Sequence, residues 1–417
     1  MTDFYDIKLN LFCHLNPQTA ILKNHVVKKI GMECLTPFCR EINGFSEELF
    51  SAGSKFKNGD TLLARITPCL ENGKTAFVNI LGGDEVAFGS TEFIILREKQ
   101  GVSDALFLYY FAISSDFRKR AISLMSGTSG RQRVDAKILG EEVFSLPPLD
   151  VQKRIAGILG TLDDRIDVLR RENVVLEQMA QAVFQSWFVD FDIVRAKAAG
   201  TPEFEVCEKY HITPELYALF PSALTPDDLP LDWEKKKLGD EFKIVMGQSP
   251  AGDTYNENRK GMPFFQGRRD FGFRYPTNRV YCTAPTRFAE KGDVLVSVRA
   301  PVGDLNIATE KCCIGRGVAS VRHYTGDTAY TFYHLKNLSN DFAVFNGNGT
   351  VFGCIGKDDF LNLSFISCPQ KTLEKLLPFF DAFENKIYEN SKQIRTLEQT
   401  RDALLPQLLS GKIKNLR

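Results

Sequence analysis

The segment LPPLDVQKRIAGILGTLDDRIDVLRRENVVLEQMAQAVFQSWF, residues 146–188, decides the fold. After its two prolines, apolar side chains recur at alternating steps of four and three residues along a stretch of helix-favouring residues. The seam consists of Ile155, Leu159, Leu162, Ile166, Leu169, Asn173, Leu176, Ala180, Val183 and Trp187. This heptad spacing predicts a helix over about 151–189 that packs along its length against a second helix.

The chain carries this pattern a second time, in KTLEKLLPFFDAFENKIYENSKQIRTLEQTRDALLPQLLSGKI, residues 371–413. The same spacing is followed by Leu376, Phe380, Phe383, Ile387, Asn390, Ile394, Leu397, Arg401, Leu404 and Leu408. Each seam contains one asparagine, a residue that fixes helix register at some cost in stability. Pro378 predicts a kink or a delayed start of the helix, and Pro406 and Gly411 predict its end.

The segments that precede the two helices also correspond. GDTLLARITP (59–68) matches GDVLVSVRAP (292–301), and GTSGRQRVDAKIL (127–139) aligns with GTVFGCIGKDDFL (349–361). An internal duplication of roughly 200 residues explains the order of globular unit, long helix, globular unit, long helix. The simplest pairing of the helices is antiparallel within one chain, with the two globular units related by a pseudo-twofold axis.

The predicted fold is α+β: two α/β globular domains separated by two long helices that form an antiparallel coiled coil. Each globular unit mixes strand-like runs such as 91–97 and 292–300 with a helix such as 104–125. The predicted boundaries are a first domain at 1–148, a long helix at 149–192, an extended connector at 193–232, a second domain at 233–368 and a second long helix at 369–417. The connector is predicted from its prolines and small residues.

Composition excludes several classes of protein. With 52 basic and 52 acidic residues the formal net charge is zero, so any nucleic-acid binding must come from local patches. The ten cysteines form no CxxC pair, which favours reduced thiols in a cytosolic protein. The N-terminus does not resemble a signal peptide, and no stretch approaches the ~18 apolar residues of a membrane span.

Motifs of catalysis are absent from the sequence. There is no GxGxxG after a predicted strand, no phosphate-binding GxxxxGK[ST], no Asn/Asp-Pro-Pro-aromatic tetrapeptide, and no GxSxG or HExxH. Pro226, Asp227, Glu234 and Lys236 imitate a metal-dependent nuclease pattern, but they lie in the proline-rich connector and at its edge. We therefore predict no catalytic residue and no metal site in this chain.

Several long motifs, in one order, resemble the specificity subunit of type I restriction–modification systems over nearly the whole chain. Residues 146–173 followed by AQAVFQSWFVDFD (180–192) resemble the central conserved region of that family. LPLDWEKKKLGD (229–240), MGQSPAGDTYNENRKGMPFFQGRRDFG (246–272) and SVRAPVGDLNIA (297–308) resemble its second target-recognition domain. LEQTRDALLPQLLSGKI (397–413) resembles its distal conserved region.

This resemblance implies a function. Each globular unit would be a target-recognition domain that reads half of a bipartite site in double-stranded DNA, and the coiled coil would set the spacing between the halves. Two modification subunits would dock on the helices and methylate adenine with S-adenosylmethionine, while restriction subunits would add ATP- and Mg²⁺-dependent translocation and cleavage. The chain itself would bind no cofactor and would act in the prokaryotic cytoplasm, at the nucleoid. The alternative is a coiled-coil scaffold that does not read DNA.

Two basic segments are the candidate DNA contacts. In the second domain, cations interleaved with aromatic residues suit guanine and phosphate contacts, and an amide suits adenine: Arg259, Lys260, Gln266, Arg268, Arg269, Arg274 and Arg279. In the first domain the candidates are Arg118, Lys119, Arg131, Gln132 and Arg133. The alternative interpretation is a solvated basic loop over an aromatic core and, for 118–120, a helix end favoured by its dipole.

The aromatic end of the first long helix needs a packing partner. We predict that Trp187, Phe188 and Phe191, with Leu404 and Leu408 on the second helix, contact a modification subunit. The alternative is that the aromatic residues only anchor the helix end to their own domain.

Overall fold

The computed structural model of the chain describes residues 4–21, 25–128, 130–347 and 353–413. It divides into two compact units. Unit 1 comprises Met1–Glu172 and Asn390–Arg417, and unit 2 comprises Asn173–Glu389. The predicted repeat segment at 349–361 and the predicted helix at 369–417 each lie partly outside the described residues.

Unit 1 combines small sheets with short helices. Its strands are β1 (Tyr5–Lys8), β2 (Cys13–Leu15), β3 (Val26–Ile30), β4 (Ser46–Leu49), β5 (Ser54–Lys57), β6 (Thr61–Ala64), β7 (Thr75–Phe77), β8 (Val86–Gly89), β9 (Phe93–Glu98) and β10 (Val143–Leu146). Its helices are α1 (Leu9–Phe12), α2 (Ala105–Ile113), α3 (Ser115–Ser123) and α4 (Ala136–Gly140), followed by the start of the long helix α5 (Leu149–Phe188). The strand orders are β1-β10, β2-β9-β6-β7 and β4-β3-β8-β5.

Unit 2 begins within α5 and continues through α6 (Asp192–Ala198), α7 (Glu203–Tyr210) and α8 (Pro214–Tyr217). Its strands are β11 (Glu234–Lys237), β12 (Phe242–Met246), β13 (Tyr255–Asn256), β14 (Met262–Phe265), β15 (Tyr281–Cys282), β16 (Phe288–Ala289), β17 (Val294–Ser297), β18 (Leu305–Ile307), β19 (Cys312–Ile314), β20 (Val318–His323) and β21 (Ser364–Ser367). Its helices are α9 (Leu238–Glu241), α10 (Thr328–Asn337), α11 (Ser339–Ala343), α12 (Lys357–Asn362) and the first part of α13 (Gln370–Leu409).

The two units share one strand topology. In each, the first and last strands of the globular part pair antiparallel, as β1 with β10 and β11 with β21. The antiparallel sheet β2-β9-β6-β7 corresponds to β12-β20-β17-β18. The second sheet of each unit contains one parallel pair, β3 with β8 and β14 with β19. The internal duplication predicted from the sequence is therefore confirmed at the level of the fold.

The repeated Gly-Asp motif has a structural role in both units. The Asp60 carboxylate accepts a backbone N–H three residues earlier at 2.8 Å and pairs with Arg97 of β9 at 2.6 Å. The Asp293 carboxylate makes the same backbone contact at 2.8 Å and pairs with Arg322 of β20 at 2.5 Å. A buried carboxylate needs such partners because burial of an unpaired charge is costly. The pair closes the turn that leads into the central strand of each sheet.

The long helices form as the heptad spacing predicts. The seam positions of both helices are buried or half-buried, and Asn173 and Asn390 are 2% exposed. α13 ends at Leu409, between Pro406 and Gly411, as predicted. The delayed start predicted from Pro378 is wrong, because the helix begins at Gln370. Pro378 is the ninth residue of the helix and lies beyond the first turn, so the helix continues there without the hydrogen bond that the N–H of this position would make to the carbonyl four residues earlier.

Within each unit, one half of α5 packs antiparallel against one half of α13. In unit 1, Arg401 donates to Asp163 at 2.8 Å, and Arg170 donates to Glu398 at 2.6 Å. In unit 2, the rings of Trp187 and Phe379 lie 4.9 Å apart, and those of Phe184 and Phe380 lie 6.0 Å apart. In both units the contacts advance along α5 as they retreat along α13, which confirms the predicted antiparallel pairing.

The prediction of an extended connector at 193–232 is wrong. This segment is not an extended linker: α6, α7 and α8 fold back, and Ile193, Val194, Val206 and Phe220 enter the main hydrophobic core of unit 2. Proline and small residues indicated a linker, but these four apolar side chains bury enough surface to hold the short helices.

The predicted helix over 104–125 is also corrected, because it consists of α2 and α3 with a break at Ser114. Ser114 has extended backbone angles, and its hydroxyl accepts the N–H of Phe117 at 3.3 Å. A serine that caps the next helix favours such a break over a continuous helix.

Candidate nucleic-acid interface

The basic segment of unit 2, residues 259–279, surrounds strand β14. Phe264 and Phe265 are buried in the strand, while Arg259, Lys260 and Arg269 are exposed. Gln266 is also exposed and directly follows the strand. The arrangement places hydrogen-bond donors on loops that are mounted on a packed aromatic layer.

Two further cations of this segment are exposed or half-exposed but already paired. Arg268 forms an ion pair with Asp304. Arg279 pairs with Asp270 at 2.8 Å and with Glu257 at 3.1 Å, and these contacts, led by the hydrogen bond to Asp270, raise the pKa of Arg279. Exposed pairs of this kind contribute little stability and can exchange partners.

The prediction that Arg274 contacts DNA is wrong, because its side chain is buried, with 1% exposed. Its guanidinium lies 3.1 Å from the carboxylate of Glu177 on α5 and 3.4 Å from that of Glu384 on α13, and it stacks 3.8 Å from the ring centroid of Phe332. The arginine joins the loop to both helices within unit 2. A side chain this buried cannot reach DNA, so Arg274 is not a DNA contact of this fold.

In unit 1, the loop 131–133 pairs with the segment that follows β6, through a bridge between Arg133 and Ile66. Arg131 is exposed, and the Gln132 carbonyl accepts the backbone N–H of Thr67 at 3.0 Å. Arg133 pairs with Glu92 at 2.7 Å, yet two-fifths of its side chain stays exposed. The predicted residues are therefore brought together on one anchored loop.

The second basic group of unit 1 divides into one exposed residue and one residue that contacts its neighbours. Lys119 is exposed. The Arg118 guanidinium donates to the Glu71 carbonyl at 2.6 Å and lies 4.6 Å from the centroid of the Phe38 ring, and burial lowers its pKa. Arg118 therefore braces α3 against the neighbouring loop rather than facing solvent.

The aromatic end of α5 lies in the core of unit 2. Trp187 is 2% exposed, and its ring lies 5.5 Å from that of Phe220 and 5.6 Å from that of Phe380. Phe188 and Phe191 are buried as well. The placement supports the alternative that these residues anchor the helix end, and it argues against direct contact with a partner.

On α13, Leu408 is buried in the core of unit 1, whereas Leu404 is half-buried. In the described structure, Leu404 is the one residue among the five predicted partner contacts whose side chain is partly exposed to solvent.

In the nuclease-like pattern at 226–236, the charged residues Glu234 and Lys236 have structural positions. Lys236 donates to Glu241 at 2.8 Å, and Glu234 lies on the edge strand β11. Over the described ranges, no cluster of three or more histidine, cysteine, aspartate or glutamate residues has metal-binding geometry, and no helix is long and apolar enough to cross a membrane.

The burial of His334 leads us to expect that the free energy of unfolding depends on pH. It is 4% exposed among aromatic rings, including Phe184 at 4.7 Å and Tyr330 at 4.2 Å, and burial lowers its pKa from 6.5 to about 3. Because the folded state holds the neutral form, its contribution is fully present above pH 6.5 and is lost as the pH falls towards 3. We expect a loss of about 2 kcal/mol between pH 7 and pH 5 from this residue alone.

The measurement is urea unfolding at both pH values, followed by tryptophan fluorescence. A His334→Phe variant keeps an aromatic ring and removes the titration, so it should lose about 2 kcal/mol less than the unmodified chain over that interval. Equal losses in the two proteins would contradict the assignment.

Comparison with known proteins identifies the family. The model of the type I restriction modification DNA specificity domain matches residues 40–178 and 230–399. The chain belongs to this family. Its two matches fall on the two copies of the repeated topology, so this specificity-domain protein carries the domain twice.

Two relatives match over most of their length. A Methanocaldococcus jannaschii protein, named for the specificity subunit of the MjaX type I restriction enzyme, is 30% identical over 85% of this chain and 79% of its own length. The specificity subunit of the HindI type I restriction enzyme of Haemophilus influenzae is 25% identical over 89% of this chain and 90% of its own. A crystal structure of a type I restriction–modification S subunit from M. genitalium shares the fold, with a TM-score of 0.54 at 15% identity over 98% of this chain and 96% of that one.

Sequence reasoning missed Arg316, an exposed residue in the turn between β19 and β20. The signal was the tripeptide Gly315-Arg316-Gly317, in which two glycines flank one arginine at the end of a strand-like run. It lies outside the basic segment at 259–279, which is where cations and aromatic residues are concentrated.

Proposed function

We propose that this chain is the DNA-recognition subunit of a type I restriction–modification complex, in which each unit reads one half of a bipartite, asymmetric site. The observation that carries the proposal is the duplication of one strand topology, with a specificity-domain match on each copy. Two related readers suit two half-sites. The paired helices set the spacing, which for one turn of DNA is ~34–36 Å between half-site centres.

The proposed DNA contacts are the exposed or half-exposed members of the two basic segments, except Arg118, whose guanidinium is engaged by the Glu71 carbonyl and the Phe38 ring. In unit 2 they are Arg259, Lys260, Gln266, Arg268, Arg269 and Arg279, and in unit 1 they are Lys119, Arg131, Gln132 and Arg133. Arginine and glutamine on loops can reach base edges, while lysine and the backbone of the loops suit phosphates. Paired residues such as Arg268 and Arg279 would exchange a surface carboxylate for DNA.

Partner subunits would supply the chemistry. We propose that two modification subunits carry S-adenosylmethionine and methylate adenine, and that restriction subunits use ATP and Mg²⁺ for translocation and cleavage. This chain would contribute no catalytic residue and would work in the cytoplasm of a prokaryotic cell. The division of labour rests on the family match and on the relatives named for specificity subunits.

The docking of modification subunits on the helices is supported by exposed apolar side chains in unit 2. Val174, Val175 and Met179 on α5 are each between two-fifths and about half exposed. Val175 and Met179 are four residues apart and therefore share one face of the helix, and contiguous exposed apolar surface marks interaction sites. They replace the buried Trp187 cluster as the proposed contact.

A methylation map of the host genome, with and without the gene for this chain, tests the proposal. We expect adenine methylation to disappear at one split motif when the gene is removed and to return when it is restored. An unchanged map would contradict DNA recognition and would favour the alternative of a coiled-coil scaffold.

A further inference from the structure

The turn at Gly315-Arg316-Gly317, here called the crossing turn, is built from three chain segments in backbone contact. The Gly315 N–H donates to the Phe265 carbonyl at 2.9 Å, and the Gly317 N–H donates to the Gln266 carbonyl at 3.0 Å. The Gln248 N–H donates to the carbonyl of the residue before the turn at 3.0 Å. The turn is therefore fixed to the loops at 247–249 and 265–267.

Glycine is required on both sides of Arg316. A Cβ atom at Gly315 would lie 2.9 Å from the Gln266 Cα, and one at Gly317 would lie 2.5 Å from the Gln266 carbonyl oxygen. A Cβ at Gly247 would lie 2.2 Å from the Gly315 carbonyl oxygen. Backbones this close leave no room for side chains between the three segments. The backbone of the crossing turn is therefore held in a fixed position.

The exposed side chains on the crossing turn and its two neighbouring loops are polar. Arg316, Gln248 and Gln266 are exposed, whereas both glycines of the turn are buried or nearly so. Across the part of the chain that the structure describes, no carboxylate forms an ion pair with Arg316, in contrast to Arg268 and Arg279. The rigid turn fixes the backbone of Arg316 before binding, its guanidinium need not break an ion pair first, and its planar fork can contact two acceptors at once.

The same position in unit 1 carries a different residue. The pairs Asp60–Arg97 and Asp293–Arg322 align β9 with β20, and counting back along each strand places Thr91 opposite Arg316. Thr91 is exposed too, in the turn between β8 and β9. The two units thus present a neutral hydroxyl and a cation from equivalent turns. Thr91 is flanked by Ser90 and Glu92 instead of glycines, so the two units share the position of this turn but differ in its build and in the side chain it presents. Such a difference is what two readers of different half-sites need.

We propose that Arg316 is a specificity-determining residue of unit 2 that contacts a guanine base, and that Thr91 is its counterpart in unit 1. The inference rests on the proposed function. The arginine fork matches the O6 and N7 acceptors of guanine in the major groove, and Gln266 beside it can contact an adjacent adenine or phosphate.

The test uses the assembled complex with its modification subunits and a pool of duplexes that vary at every position of both half-sites. Arg316→Ala should reduce discrimination at one position of one half-site by about 5- to 150-fold and leave the other half-site unchanged. Arg316→Lys should keep most of the affinity but not the base preference. Thr91→Ala should alter the other half-site only.

Two controls separate the possible failures. Lys291→Ala removes an exposed cation elsewhere in unit 2 and should leave discrimination unchanged. Thermal unfolding of Arg316→Ala should match that of the unmodified chain, because the side chain is exposed and without an ion pair in the described structure.

Equal weakening on all duplexes, with a shallower salt dependence, would identify a phosphate contact and overturn the specificity role. Unaltered discrimination by Arg316→Ala would also overturn it. If the unmodified complex showed no sequence preference at all, the proposed function itself would fail.

Discussion

Replacement of Asp163 by alanine should lower the free energy of unfolding of unit 1 by about 3–5 kcal/mol. The carboxylate is buried and accepts hydrogen bonds from Arg401 at 2.8 Å and from the Tyr110 hydroxyl at 2.7 Å. Arg401 is itself 6% exposed, so removal of Asp163 leaves a nearly buried guanidinium with its exposed neighbour Asp402 as its remaining carboxylate contact in the described structure. An uncompensated buried charge costs far more than a lost surface pair.

Hydrogen exchange of the amides of unit 1 measures this effect, because both tryptophans of the chain lie in unit 2 and report on that unit. Asp150→Ala is the matched control: it breaks the exposed pair with Arg154 and should cost under about 1 kcal/mol. A double variant, Asp163→Leu with Arg401→Leu, should recover much of the loss. A cost for Asp163→Ala no larger than that of the control would refute the buried network as a determinant of stability.

Replacement of Trp187 by alanine should lower the free energy of unfolding of unit 2 by about 3–5 kcal/mol. The indole is buried between α5 and α13 against Phe220, Phe379 and Phe380, so its loss leaves a large cavity. Trp233, which packs 5.7 Å from Phe188, remains as the fluorescent reporter of urea unfolding.

Two variants control for this result. Trp187→Phe keeps an aromatic ring and should cost clearly less than alanine, while Met179→Ala removes an exposed side chain and should cost under about 0.5 kcal/mol. A Trp187→Ala chain that kept its stability but lost the modification subunit would restore the partner contact that was predicted from the sequence.

The heptad seams were predictable because their periodicity is local. Residues such as Ile155 and Ile387 recur at steps that only a paired helix satisfies, and both are fully buried. The duplication was predictable for a similar reason: Gly-Asp pairs at 59–60 and 292–293 open the same turn in both units.

The role of each cation was not predictable, because it depends on residues distant in sequence. Arg274 and Arg269 belong to one basic segment and Arg269 is exposed, yet Arg274 is buried, where it donates to the carboxylate of Glu177, 97 residues away. Composition also misled at 193–232, where the fold uses a few well-spaced apolar residues despite the prolines. Local sequence indicates which residues carry charge, and tertiary packing decides which of them face solvent.

The division of the chain has a consequence for its synthesis. Unit 2 is one continuous stretch, whereas unit 1 combines the N-terminal residues with the last part of α13. On the ribosome, the domain that emerges first is therefore completed last, because Asp163 meets Arg401 only after α13 has been made. Until then the seam around Leu159 lacks the α13 side chains that share its core, such as Leu405 and Leu408, and apolar surface exposed in this way makes a nascent domain prone to aggregation.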